Sequence, residues 1–350
     1  MKSLKIENKN ISLNNNPFII AEMSGNHNQS LDKALQIVTA AAESGVHALK
    51  LQTYKPETIT LDIREREFLI KDEKSLWKGQ SLYDLYEIAQ TPWEWHQPII
   101  EKANKLGLIC FSSPFDETAV DFLEELNVPA YKIASFEINH LPLIEKIALT
   151  GKPVIISTGM ASINDIEQAI KILKDHNCLN FALLKCTTSY PASPKNSNIK
   201  TIPHMRELFQ CEIGLSDHTM GIGASIAAIS HGATIIEKHF TIDRSKGGVD
   251  SQFSLEPNEM KALVIESKRA YQSLGKVTYG PTNDEKNYTK HRRSIYFKKE
   301  IKKDEVIKSD SIKIIRPGLG LAPKNFYKVI GKRAKDSIKR GTPVNWNLLY

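Results

Sequence analysis

The sequence predicts an α/β protein made of a (β/α)8, or TIM, barrel over residues 1–275, a linker over 276–292 and a small β-rich domain over 293–350. Three observations carry this. Eight short β-rich runs alternate with amphipathic helical stretches up to about residue 275, with no internal repeat. The runs are apolar, as strands buried on both faces of a parallel sheet are. Beyond LGKVTYGPTNDEKN the chain turns polar, with Gly and Pro, and then into short β-like runs separated by turns. Eight βα units suit a closed barrel, with a doubly wound open sheet as the alternative.

In order, the predicted strands are FIIAE (18–22), ALKLQ (48–52), LICFS (108–112), YKIAS (131–135), PVIIST (153–158), FALLKC (181–186), EIGLS (212–216) and TIIEKH (234–239). A helix-like segment follows each. The first, SLDKALQIVTAAAESG, has apolar residues at helical spacing and Gly45 to end it. The connection over about 54–91 is too long for a plain loop and helix, and it holds DIREREFLIKDEK, SLWKGQSLYDLYEIAQ and the start of TPWEWH. Long insertions at the ligand-binding end of a barrel serve as lids or specificity loops. A substrate lid or specificity loop carrying Trp77, Tyr83, Trp93 and Trp95 is one reading of this insertion, and plain cover for helix surfaces is the other reading of the tryptophans. In the tail, SIYF, IKIIRP and PVNW read as short β runs, and a domain of this size is marginal alone.

At 41% hydrophobic and 25% charged residues over 350, the composition is that of a folded globular chain, which excludes disordered, collagenous and disulfide-scaffold classes. No stretch approaches the roughly 18 apolar residues of a membrane span, and MKSLKIENKN has no apolar block behind its lysines. Cys110, Cys178, Cys186 and Cys211 form no C-x-x-C pair, which argues against a thiolate zinc site and fits a reducing, cytoplasmic location. The net charge of +7 is concentrated after about residue 286, where acids are interspersed and no aromatic series accompanies the bases, so no nucleic-acid partner is expected.

In a (β/α)8 barrel the chemistry sits at the C-terminal strand ends. Those positions hold Glu22, Lys50, Gln52, Ser112, Ser113, Lys132, Ser135, Ser157, Thr158, Thr187, Thr188, Ser216, Asp217, His218, Glu237 and His239. Polar groups on apolar strands cost energy unless paired, so their convergence points to ligands. His218 and His239 end consecutive strands and could share a divalent metal, or each could be a hydrogen-bonded barrel residue. Lys50 and Lys132 with the hydroxyls suit an anion pocket, with a Schiff-base lysine as the competing chemistry and a structural salt bridge as the plain one. Glu22 could act as a general base, polarise a hydroxyl or be a buried structural carboxylate.

These residues lie in IIAEMSGNHNQSLDKA, ALKLQTY, FSSPFDETAVDFL, YKIAS, VIISTGMAS, KCTTSYPA, GLSDHT and EKHFT, and in that order the segments resemble the sialic acid synthase family. RRSIYF and IIRPGLGLAP are similar to its antifreeze-like (SAF) domain, and TPWEWH and SLYDLYEIA look like the pseudaminic acid synthase branch. The resemblance implies condensation of phosphoenolpyruvate with an N-acetylated amino-sugar, releasing phosphate and forming a nine-carbon 2-keto acid. For that branch the acceptor is a 2,4-diacetamido-2,4,6-trideoxy hexose, with N-acetylneuraminate or legionaminate synthesis as the alternatives. It further implies that His218 and His239 hold manganese, magnesium or cobalt, and that Glu22 is an acid/base group near the sugar. By the same carry-over Lys50, Ser113, Lys132, Ser135, Ser157, Thr188 and Ser216 hold phosphoenolpyruvate. Gln52, Tyr190, Asp250 and Arg316 meet the acceptor, Arg316 from the partner's tail in a domain-swapped homodimer. Ser113 replaces a common threonine, Thr188 a common asparagine or serine, and Lys185 a common histidine, which adds a charge without an assigned role. A non-catalytic carbohydrate-binding protein is the reading from another class, and the intact Lys50, Lys132, His218 and His239 set speaks against it.

Overall fold

The computed structural model describes residues 3–73 and 75–350. The chain divides into two compact units, Met1–Gly275 and Lys276–Tyr350.

The first unit is a closed barrel of eight parallel strands, β3 (Phe18–Glu22), β4 (Ala48–Thr53), β5 (Ile109–Pro114), β6 (Tyr131–Ile133), β7 (Val154–Ser157), β8 (Phe181–Cys186), β9 (Glu212–Ser216) and β10 (Ile235–His239). Closure comes from β10 pairing with β3, which sets His239 beside Glu22. Side chains alternate between two cores, as a strand period of two requires. Phe18, Ile20, Ala48, Ile109, Phe111, Ile155 and Ile235 point inward. Ile19, Ala21, Leu49, Leu51, Ile133, Ile156 and Ile236 point outward into the layer beneath the helices.

Those helices are α1 (Leu31–Glu43), α2 (Pro56–Ile59), α3 (Leu82–Ala89), α4 (His96–Lys105), α5 (Glu117–Glu125), α6 (Leu141–Leu149), α7 (Ile163–Asp175), α8 (Thr201–Phe209), α9 (Gly223–Ser230) and α10 (Pro257–Leu274). Helix α1 begins on Ser30, whose hydroxyl accepts from Lys33 N–H, and ends at Gly45, which takes φ +81°. Among the described residues no helix is long and apolar enough to cross a membrane.

An antiparallel hairpin, β1 (Leu4–Ile6) with β2 (Lys9–Ile11), precedes the barrel and lies outside the sequence reading, since three-residue strands are too short to show a period. Leu4, Ile6 and Ile11 join the inner core, which closes the N-terminal end of the barrel. Lys5 backbone and Asn180 side chain exchange two hydrogen bonds of 2.9 and 2.7 Å that fasten the hairpin there.

The insertion between β4 and β5 contains α2 and α3, and its last part is anchored in the barrel wall. Trp93 stacks on Phe122 at 4.4 Å and donates to Tyr54 O, and Trp95 sets its ring edge-on to His27 at 5.6 Å. His96 Nε2 meets Thr53 Oγ1 at 2.7 Å, and Thr53 meets Ser112 at 2.6 Å. His27 Nε2 meets Thr91 at 3.2 Å. Burial lowers the pKa of each ring to about 4, so both are neutral near pH 7.

The second unit pairs β11 (Ser294–Phe297) antiparallel with β12 (Ile312–Ile315) and adds α11 (Asn283–Lys286) and α12 (Phe326–Val329). Its own core includes Ile295, Phe297, Ile301, Ile312, Val329, Val344 and Leu349. PVNW makes one bridge, Pro343 to Tyr296, instead of a strand, because proline offers no N–H to a ladder. Residues 276–292 carry α11, and Lys290 O accepts from Gly318 N–H at 2.8 Å.

The two neutral histidines give a testable consequence for the anchored insertion. The unfolded chain protonates His96 near 6.5 and the fold only near 4, so this ring's contribution to stability falls as pH drops below about 6.5 and is exhausted below about 4. In urea unfolding, the stability difference between wild type and His96→Gln should narrow by about 2 kcal/mol from pH 7 to pH 5. An unchanged difference would mean that the ring takes up its proton in the fold as freely as in the unfolded chain.

Candidate active site

Four charged side chains meet inside the C-terminal end of the barrel. Glu22 ends β3 and Lys50 lies beside it on β4 by register, with Nζ 2.8 Å from Glu22 Oε2. Glu237, two residues before His239 on β10, spans to both lysines, 3.9 Å from Lys50 and 3.7 Å from Lys132. All four are buried. Hydroxyls complete the set: Lys50 donates to Ser113 at 3.2 Å, Lys132 to Ser157 at 2.7 Å, and Ser216 to Glu237 at 3.1 Å.

The two carboxylates titrate differently for physical reasons. Burial, reinforced by Glu237, pushes Glu22 up to about 7 despite Lys50. Burial also works to raise Glu237, but Lys132 and Lys50 outweigh it and hold Glu237 below the ordinary value. Lys132 is lowered by burial, whereas the attraction of Glu22 and Glu237 outweighs burial at Lys50 and raises it. Of these four, Glu22 is the one that can hold or release a proton near pH 7.

Ser135 and Thr188 flank a crowded corner where Ser135 Oγ accepts from Gly159 N–H at 3.1 Å. A Cβ on residue 159 would stand 2.0 Å from Thr188 Oγ1, so glycine is required there. Among the described residues Thr188 Oγ1 is buried without a hydrogen-bond partner, an arrangement that suits a bound oxyanion. Lys185 spends its ammonium on Cys186 O and Thr187 Oγ1, at 3.0 and 2.8 Å, so it holds the end of its own strand.

The rings of His218 and His239 lie 5.3 Å apart. His218 Nδ1–H donates to Thr187 O at 3.0 Å, which fixes the tautomer and frees Nε2. His239 Nδ1 is buried 3.5 Å from Asp250 Oδ2 and makes no hydrogen bond among the described residues. Among the described residues no three His, Cys, Asp or Glu side chains converge on one metal position. Behind the histidines, buried Lys238 pairs with Asp217 at 3.2 Å, and Asp217 also accepts from Thr219 N–H and the Ser225 hydroxyl, at 2.9 and 2.6 Å.

On the other side, Gln52 donates to Glu22 at 2.9 Å and to Ser24 at 3.0 Å, and Ser24 donates to Asp250, which burial raises. Tyr190 lies 4.6 Å from the His218 ring and 5.3 Å from Phe253. The barrel thus brings together the first-unit residues assigned to phosphoenolpyruvate, acceptor and metal, whereas two other strand-end candidates turn away from them, Ser112 to Thr53 and Asp217 to Lys238. Arg316 belongs to the second unit, where it is exposed ahead of Pro317.

Sequence reasoning noted Glu237 at a strand end but gave it no role, and it passed over Ser24. Period two on IIEKH held the signal for Glu237, because it shares the inward face with His239. Ser24 carried no such signal, since it lies in a turn at φ +47°.

The NeuB family model matches residues 37–279, and the SAF domain model matches 292–349. Pseudaminic acid synthase of Campylobacter jejuni is 41% identical over 335 residues, 95% of this chain and 96% of that one. Pseudaminic acid synthase of Helicobacter pylori is 42% identical over 332 residues, 94% and 96% of the two chains. The crystal structure of N-acetylneuraminic acid (sialic acid) synthetase from Leptospira borgpetersenii, in complex with citrate, is 33% identical with a TM-score of 0.73, covering 82% of this chain and 95% of that one. Barrel, tail and sequence agree along nearly the whole length, and the chain belongs to the NeuB family, with a C-terminal SAF domain.

Proposed function

We propose that the chain condenses phosphoenolpyruvate with a 2,4-diacetamido-2,4,6-trideoxy hexose (6-deoxy-AltdiNAc) and water, giving pseudaminic acid and phosphate. The observation that carries this is the buried set of Lys50, Lys132, Glu22 and Glu237 beside the unpaired hydroxyl of Thr188, in a chain so similar to pseudaminic acid synthases. Two buried ammoniums and a ring of hydroxyls suit a small ligand carrying phosphate and carboxylate. Lys50, Ser113, Lys132, Ser135, Ser157, Thr188 and Ser216 hold that ligand.

The acceptor lies against Gln52, Tyr190 and Asp250, and Glu22 reaches it through the side where Gln52 is bonded. C3 of phosphoenolpyruvate bonds to the aldehyde carbon of the open-chain sugar, water adds at C2, and phosphate departs with its bridging oxygen. Lys50 and Lys132 balance the anionic charge throughout, and Glu22 holds or passes the proton. His218 Nε2 and His239 Nδ1, which makes no hydrogen bond among the described residues, are two nitrogen donors that would hold one divalent ion, manganese, magnesium or cobalt. Such an ion, when bound, polarises a carbonyl oxygen and lowers the pKa of water. The enzyme acts as a domain-swapped homodimer in which Arg316 of the partner subunit completes the acceptor side. The buried free thiols of Cys110, Cys178, Cys186 and Cys211 suit a cytoplasmic setting.

Three experiments test this. Chelation should abolish phosphate release and manganese, magnesium or cobalt restore it, while His239→Ala weakens manganese binding measured directly on the free protein. Full activity of metal-free His239→Ala protein would overturn the metal assignment. Borohydride added with either substrate should leave Lys50 and Lys132 unmodified, because both act by charge, and an adduct mapped to either would make the enzyme an imine-forming aldolase. Arg316→Ala chains mixed with chains carrying His218→Ala and His239→Ala should regain activity through one intact site. No recovery after verified subunit exchange, with Arg316→Ala alone inactive, would put the arginine in its own chain's site.

A further inference from the structure

We infer that Trp77 is the wall of a subsite for the distal half of the acceptor, its second acetamido group and 6-methyl, and that this wall sets acceptor choice. The inference rests on the reaction proposed above and adds to it the place where one sugar is told from another.

Of the insertion's candidate acceptor contacts, Trp77, Tyr83, Trp93 and Trp95, three are committed elsewhere. Trp93 lies on Phe122, Trp95 lies against His27, and Tyr83 is 5.9 Å from the Arg64 guanidinium. Trp77 alone among them faces the acceptor side. Its ring is 6.0 Å from Tyr190, which in turn stands 4.6 Å from His218, so a continuous aromatic surface runs from the insertion to the reacting centre. Its indole N–H donates to Val249 O at 3.1 Å, and the next residue is Asp250, tied through Ser24 to Gln52. One side chain therefore contacts both the ring and the loop that bound the acceptor.

Beside Trp77 lies a cavity of about 590 Å³ whose walls include Leu76, Ile88, Val249, Asn28, Gln80 and Gln252. That volume is within the roughly 300–1,000 Å³ of small-ligand sites. Among the described residues its lining has no charged side chain, which suits neutral substituents and leaves the phosphate and carboxylate to the lysine pocket. Side-chain amides both donate and accept, as an acetamido group does, and the apolar residues offer surface to its methyl and to a 6-deoxy carbon. N-acetylmannosamine has hydroxyls at both positions. An apolar wall discriminates such pairs by about 10–200-fold.

The test uses full-length protein and measures phosphate release with the diacetamido sugar and with N-acetylmannosamine, together with the KM for phosphoenolpyruvate and the melting temperature. Trp77→Ala should raise the KM for the diacetamido sugar and cut its kcat/KM by about tenfold or more, bringing the two sugars closer together. The KM for phosphoenolpyruvate should stay unchanged, a split that general loss of structure would not give. Trp77→Phe, which keeps a ring, should keep most of the discrimination. If Trp77→Ala fails to fold, Gln80→Ala and Gln252→Ala on the cavity wall must narrow the same ratio. An unchanged ratio in folded Trp77→Ala, or in both glutamine variants, would overturn the subsite while leaving the reaction intact. Preference of the wild type for N-acetylmannosamine would instead overturn the acceptor proposed above.

Discussion

A carboxylate held between two ammoniums is the constraint on which the site depends. Glu237 is buried and could not remain ionised in an apolar barrel without Lys50 and Lys132. The partners stand on β4, β6 and β10, so only a closed barrel brings them together. Glu22, the acid nearest Lys50, would bring the four charges to balance when ionised, yet burial and the neighbouring Glu237 leave its proton held near neutrality. Neighbouring carboxyls driven in opposite directions are a recurrent way for one site to contain both a fixed charge and a proton carrier. Both ammoniums are already oriented by hydroxyls, Lys50 by Ser113 and Lys132 by Ser157.

The ends of β9 and β10 carry a second ion pair on their other face. His218 follows Asp217 and His239 follows Lys238, and the Asp217–Lys238 pair lies between barrel and helices with its oxygens shared by Thr219 and Ser225. Burying such a pair gains little stability over a well-packed apolar pair. Its geometric effect is plain: the residue before His218 and the residue after it are both held, and the backbone of His218 accepts from Ala192 N–H at 2.9 Å. Alternation along β10 thus assigns chemistry to one face and positioning to the other.

Much of this was legible in the chain itself. The eight strands showed because each is apolar enough to be buried on both faces, and the site showed because polar residues at their ends interrupt that pattern. Roles were harder to read. That Lys50 meets Glu22 follows from register, a property of pairing that no single strand displays. The aromatic residues of the insertion look alike in sequence, yet Trp93 and Trp95 pack on the barrel while Trp77 meets Tyr190, and only tertiary contacts separate them. PVNW has the composition of a strand and lacks the N–H that would let it join one. The assignment of particular residues to phosphoenolpyruvate and to the sugar came from resemblance, since hydroxyls and lysines alone fit many anions.

Closure of the barrel by β10 against β3 also governs how the chain emerges during synthesis. Strand β3 leaves the ribosome early with one edge unpaired, and its partner follows roughly two hundred residues later, an interval of about 10–40 s at ordinary translation rates of about 5–20 residues per second. For that time an apolar strand edge stands open to other nascent chains. The N-terminal hairpin cannot shield it early, because its anchor, Asn180, is itself late. The barrel is thus a structure whose first strand is completed by its last, which makes its assembly sensitive to translational pausing and to the supply of chaperones.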